Sequence, residues 1–91
     1  MLFEWNKNKA HQNILKHGVS FEEASTAFQD KMSITIIDPL HSEDEERFVL
    51  IGYSKNNRLL VVVHTDRNKR TRIISARTAT KMEKMKYEEG K

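Results

Sequence analysis

The stretch RLLVVVHTDRNKRTRIISAR, residues 58–77, decides the fold. Leu60 to Val63 is apolar at every position, so both faces of the strand it belongs to are buried, and that strand, Leu59 to Thr65, is expected at the centre of a sheet. Asp66 to Thr71 is polar and basic and reads as a turn. Arg72 to Ala76 then returns as a further strand. Upstream, Phe48 to Tyr53 is a strand, and Lys55-Asn56-Asn57 turns it back into the central one. Ser33 to Ile37 is rich in β-branched residues and stops at Asp38-Pro39, a turn opener.

Helix signals flank these strands. After a short opening strand, Leu2 to Trp5, Asn6 or Asn8 can cap a helix running to about His17, where Gly18 supplies a left-handed stop. Ala10, Ile14 and His17 share one face of it, with Leu15 beside them. Ser20 and Glu23 have capping-box spacing, and Val19 can staple onto Ala24. Ala24, Ala27 and Phe28 give the second helix its apolar stripe. Thr80 and Glu83 repeat the capping-box pattern and open a short helix to Gly90. Met82 and Met85 within it read as core packing. The order β-α-α-β-β-β-β-α predicts one α+β domain over residues 1–91. Its architecture is an antiparallel sheet of about four to five strands, with two N-terminal helices on one face and a short C-terminal helix. One sheet face is expected to stay free for a ligand.

Composition narrows the function. Cysteine is absent, which leaves no disulfide framework and no thiolate metal site. Lys7 and Lys9 interrupt any apolar run after Trp5, and Leu59 to Val63 is too short to span a bilayer, so a cytoplasmic protein without membrane contact is expected. Charge is unevenly placed. Lys55 to Arg77 holds seven basic residues against Asp66 alone, while Asp38 to Glu46 holds five acids and no Lys or Arg. A basic field of this kind attracts a polyanion, although a solvated charged surface has the same appearance. His11, His17, His41 and His64 fall into no familiar metal spacing, and glycines are too few for a phosphate loop. No metal and no cofactor is expected.

Metal-free RNA cleavage fits what remains. It needs a base for the ribose 2′-hydroxyl, a cation for the crowded phosphate and an acid for the departing 5′-oxygen. Arg77 is the first candidate cation: it ends the last strand, beside a helix N-terminus. Arg72 and Arg67 follow. His17, at the end of Lys16-His17-Gly18, can transfer protons near neutral pH, or can simply complement the helix dipole. His64 reads as a satisfied, partly buried histidine, and Trp5, Phe21 and Phe28 as core anchors. Tyr53 and Tyr87 can stack on a base or donate a proton.

Several separated motifs resemble one family. Phe3-Glu4-Trp5 with Asn8-Lys9, then Lys16-His17-Gly18-Val19-Ser20-Phe21-Glu22-Glu23-Ala24, resembles the opening of the BrnT toxins. His41-Ser42, Glu45-Glu46-Arg47-Phe48, Ile51-Gly52, the strand from Arg58 to Val63 with Thr65 and Arg67, and Arg72-Ile73-Ile74-Ser75-Ala76-Arg77 continue in the same order, with Ala79, Glu83 and Tyr87-Glu88 closing it. The family's usual Trp-Asp-Pro-x-Lys opening is here Trp5-Asn6-Lys7-Asn8-Lys9, which costs the Asp-Pro helix start. The resemblance implies a RelE-like ribonuclease toxin of a type II toxin–antitoxin system that cuts RNA and arrests translation. It implies a ribbon–helix–helix antitoxin, BrnA, in a 2:2 complex, with promoter DNA bound only through the antitoxin. It strengthens Arg77, His17 and Lys16, and adds Glu46 and Arg47 as catalytic candidates. Arg58, Arg67, Lys69, Arg70 and Arg72 become candidates for holding the RNA backbone. The competing expectation is a non-catalytic module that binds nucleic acid or protein.

Overall fold

The computed structural model describes residues 1–38 and 45–90. The expected turn at Pro39 and the motif residues His41 and Ser42 lie outside the described residues. Five strands form one sheet: β1 Leu2–Glu4, β2 Ile34–Ile37, β3 Phe48–Tyr53, β4 Leu59–Arg67 and β5 Arg70–Thr78. Their order is β1-β5-β4-β3-β2, which places β4 at the centre, where its doubly apolar run predicts it. The expectation of a purely antiparallel sheet is corrected at one edge. β1 pairs with β5 in parallel, because it leads directly into a helix and cannot turn back as a hairpin.

The first hairpin turn follows from local chemistry. Lys55-Asn56-Asn57 closes β3 onto β4, with Asn57 left-handed at φ 64° and its amide donating to the Ser54 carbonyl at 2.9 Å. The β4–β5 turn is tighter than Asp66 to Thr71. Pairing continues to Arg67 opposite Arg70, so only Asn68 and Lys69 turn.

Helix α1, Lys7–His17, starts at Asn6, whose side chain accepts from the Lys9 amide at 3.0 Å. It stops at Gly18, left-handed at φ 69°, a conformation that favours glycine. Helix α2, Phe21–Thr26, is capped by Ser20, and a single 3-10 turn, Ala27–Gln29, extends it. The reciprocal half of that capping box is replaced. The Glu23 carboxylate is buried and accepts from Arg58 Nε at 3.0 Å and Ser54 Oγ at 2.7 Å. These donors, Arg58 foremost, hold its pKa down to about 2 against the opposing effect of burial. Gly52 lets β3 run beneath the 3-10 turn, where a Cβ would meet the Ala27 carbonyl at 2.9 Å.

The main core lies between α1, α2 and one sheet face: Val19, Phe21, Ala24, Ala27, Leu50, Leu60, Val62, Ile73 and Ala76, with Phe3, Trp5 and Phe28 against them. His64 is buried there between Phe28 and Phe48, and burial lowers its pKa. Ile14 and Leu15 are exposed instead of facing this core. α1 crosses the sheet at its edge, so only part of its apolar stripe finds a partner.

Helix α3, Lys81–Glu89, changes the reading of the second face. Tyr87 is buried against Ile51 and Val61, with Ile34, Val49, Tyr53 and Leu59 around it. That face is therefore half covered. α3 attaches through Tyr87, whose hydroxyl donates to Asp30 Oδ2 at 2.7 Å, and Met82 and Met85 point to solvent, 77% and 53% exposed. The expected methionine core contact is not made. Tyr87 is a packing residue: burial, then the hydrogen bond to Asp30, pushes its pKa up to about 12.

Candidate active site

Side chains alternate along a strand, so residues an odd number apart fall on opposite faces. By that rule Arg72 and Arg77 would be separated by the sheet. A β-bulge prevents this. Val63 pairs with Ser75 but His64 pairs with Ile73, so Ile74 is an extra residue in β5. The phase of β5 switches there. Ile73 and Ala76, three apart, both face the main core. Arg70 and Arg72 join Ser75 and Arg77 on the other face, where Arg67 of β4 also lies, opposite Arg70.

Each arginine on this face meets a carboxylate. Arg77 forks onto Glu83, Nη1 to Oε1 at 2.8 Å and Nη2 to Oε2 at 2.7 Å. Glu83 also completes the α3 capping box, accepting from the Thr80 amide at 2.8 Å. The Arg77 bond, above all, holds the Glu83 pKa down to about 2. The anion expected at this helix N-terminus is thus the chain's own glutamate. Arg67 forks onto Glu45 at 3.0 and 3.2 Å. Arg72 donates to Glu4 at 3.2 Å, and Arg70 lies 4.0 Å from the same carboxylate. The Glu45 carboxyl is lowered first by the Arg67 hydrogen bond and then by the charges of Arg67, Arg47 and Arg72. Glu45, not the neighbouring exposed Glu46, is thus the acid set among the arginines. Arg47 is half-buried at the entry to β3, its carbonyl accepting from the Asp38 amide at 2.8 Å. Arg58 is elsewhere. It is tied to Glu23 and donates to the Gly18 carbonyl at 3.1 Å, which gives it a structural occupation on the helix side.

Lys16 and His17 enter from α1. β1 pairs with β5 only as far as Arg72, so the rest of that edge lacks a strand. Asn13 substitutes for one. Its Oδ1 accepts from the Ala76 amide at 3.1 Å, and its Nδ2 donates to the Ala76 carbonyl at 2.8 Å and the Val19 carbonyl at 2.9 Å. Sequence reasoning passes over Asn13, because a lone asparagine in a helix carries no sign of a partner 63 residues away. Beside this clamp lies a cleft of about 180 Å³, lined by Lys9, Gln12, Asn13, Lys16, His17, Ile74 and Ser75. Ser75 belongs both to this cleft and to the arginine face, and Arg77 is two residues further along that face. Among the described residues no hydrogen bond or ion pair joins Lys16 or His17 to Arg77.

The arrangement gathers guanidinium groups, whose N–H donors beyond those held by carboxylates can meet phosphate oxygens, beside a histidine and two lysines able to bind or transfer protons. A family model described as "Ribonuclease toxin, BrnT, of type II toxin-antitoxin system" matches residues 5–83. The crystal structure of the Brucella abortus ribonuclease toxin BrnT matches with a TM-score of 0.65 at 20% sequence identity, covering 89% of this chain and 100% of that one. That likeness is one of fold: a five-stranded sheet with three helices. No curated protein sequence matches the chain.

Proposed function

The chain belongs to the BrnT family of ribonuclease toxins of type II toxin–antitoxin systems, and from that premise we propose that it cuts RNA without a metal ion where the α1 cleft meets the arginine face. We read the fold as RelE-like and the outcome as translational arrest in the cytoplasm. The observation that carries the proposal is the β5 bulge. It puts Arg72, Ser75 and Arg77 on one face and opens that face onto Lys16 and His17. Among the described residues no three His, Asp or Glu side chains converge as a metal site would require.

In the proposed reaction, His17 takes the ribose 2′-hydroxyl proton, and the 2′-oxygen attacks phosphorus. The P–O5′ bond breaks, leaving a 2′,3′-cyclic phosphate, and the 5′-oxygen takes up a proton from water, which His17 replaces by releasing the one it accepted. Arg77 and Arg72 stabilise the charge gathering on the phosphate oxygens. Lys16 holds the neighbouring backbone. Glu83 keeps the Arg77 guanidinium aimed, and Glu45 and Arg47 set the field at the far end of the face. Arg58 is left out, since its bonds to the buried Glu23 and to the Gly18 carbonyl hold it on the helix side, away from this face.

The test is cleavage of RNA by purified protein in excess EDTA, with analysis of the new ends. Undiminished cutting to 2′,3′-cyclic phosphates, lost in a folded Arg77→Ala variant, is expected. An activity that vanishes with the chelator and returns with Mg²⁺ defeats the reading.

A further inference from the structure

The tip of the β4–β5 hairpin holds a conformational oddity that the cleavage chemistry does not use. Arg67 pairs with Arg70, so Asn68 and Lys69 alone make the turn, at φ 48° and 65°. Two successive left-handed residues define a type I′ turn, whose second central position strongly favours glycine. Asparagine tolerates this backbone well; lysine does not. Local preference would therefore write Asn-Gly, yet the chain places its longest flexible cation there.

Charge makes the same residue stand out. The arginines from Arg67 to Arg77 all meet glutamates: Arg67 with Glu45, Arg70 and Arg72 with Glu4, Arg77 with Glu83. Lys69 has no carboxylate partner among the described residues, and Asp66 through Arg70 are exposed. Its charge sits at the exposed turn of the β4–β5 hairpin, just beyond the end of β5 that β1 flanks. It lies six positions before Ser75, roughly 20 Å at the rise of an extended strand. A cation there cannot touch the scissile phosphate, but it can hold the backbone several nucleotides away.

We propose that the hairpin tip is a docking point for the RNA backbone outside the cleavage cleft, and that Lys69 is kept at a strained position to make that contact. The proposal rests on the ribonuclease reading and adds a second binding point to it. Three variants of the full chain test it: Lys69→Gly, Lys69→Gln and Lys69→Arg. Affinity is measured against salt with a 2′-O-methyl RNA that cannot be cut, and melting temperature alongside. Lys69→Gly should melt higher, by about 4 °C in a domain of this size. It should also flatten the slope of log affinity against log salt by about 0.7, the share of one single-strand phosphate contact. Lys69→Gln should lose the same slope without the gain in melting temperature. Lys69→Arg should keep the parental slope. An unchanged slope in Lys69→Gly, or a melting temperature that does not rise, overturns the tip proposal while leaving parental cleavage intact. A parent that neither binds nor cuts RNA removes the ribonuclease reading, and the tip with it.

Discussion

Asn13 shows how one buried amide can hold a site in place. It bonds both backbone groups of Ala76, as a neighbouring strand would, and reaches the Val19 carbonyl as well. It thereby fixes α1 against β5 and sets Lys16 and His17 beside Ser75. Asn13→Asp keeps the shape and the acceptor but replaces the donor with a carboxylate facing two carbonyls. The expected cost is about 2–3 kcal/mol of stability, read as a lower midpoint in urea at unchanged slope. An unaltered midpoint would show that the edge is held by something else. The contrast with Arg77 explains what a single residue reveals. Arg77 and His17 stand out in the sequence because their chemistry matters wherever they fall. Asn13, Ser75 and Glu45 matter only through what long-range pairing brings to them, and no local pattern records that.

At the scale of elements, the bulge in β5 and the seating of α3 determine which surface is available. The unbroken apolar run Leu60 to Val63 is legible, and it places β4 at the centre correctly. One inserted residue, Ile74, reverses the phase, and nothing in Ile73-Ile74-Ser75 announces it. The α3 reading failed for a related reason: helical spacing made Met82 and Met85 look apolar-in, but the helix rests on Tyr87. The seat should be visible by titration. Tyr87 has its pKa pushed up to about 12 from an ordinary value near 10. A raised folded value means the neutral phenol stabilises the fold fully below pH 10, and that this contribution disappears as pH rises through 12. Tyr87→Phe removes the hydroxyl but leaves Asp30 accepting from the Tyr53 amide at 2.8 Å. It should cost about 1 kcal/mol at neutral pH. The gap between parent and variant should then close between pH 10 and 12. A gap that persists at high pH would contradict the seating through Asp30.

Arg67, Arg70, Arg72 and Arg77 lie on one sheet face, and the ion pair of Arg58 with Glu23 lies on the other. The sequence shows the basic segment from Lys55 to Arg77 but not this division, because Arg58 and Arg77 look alike until the sheet separates them. The division bears on how the toxin is restrained. A type II family implies an antitoxin, and a face holding Arg67, Arg70, Arg72 and Arg77 would meet RNA continuously unless covered. We expect that cover to be an acidic or amphipathic segment of a ribbon–helix–helix protein that folds as it binds. Glu4, Glu45 and Glu83 already occupy the arginine forks, so an added carboxylate competes with them. Charge should therefore steer encounter more than it sets final affinity. Tight neutralisation needs about −12 kcal/mol, a nanomolar complex, so most of the binding energy must come from apolar contacts around the charged face. Added salt should accordingly slow association of the antitoxin several times more than it speeds dissociation. Since a ribbon–helix–helix protein dimerises, two toxin chains should enter one 2:2 particle. Co-expression with the adjoining reading frame, followed by co-purification, mass measurement and an RNA-cleavage assay, checks each step. A silent 2:2 assembly with salt-sensitive association supports the account, and a toxin that stays monomeric and active beside that neighbour defeats it.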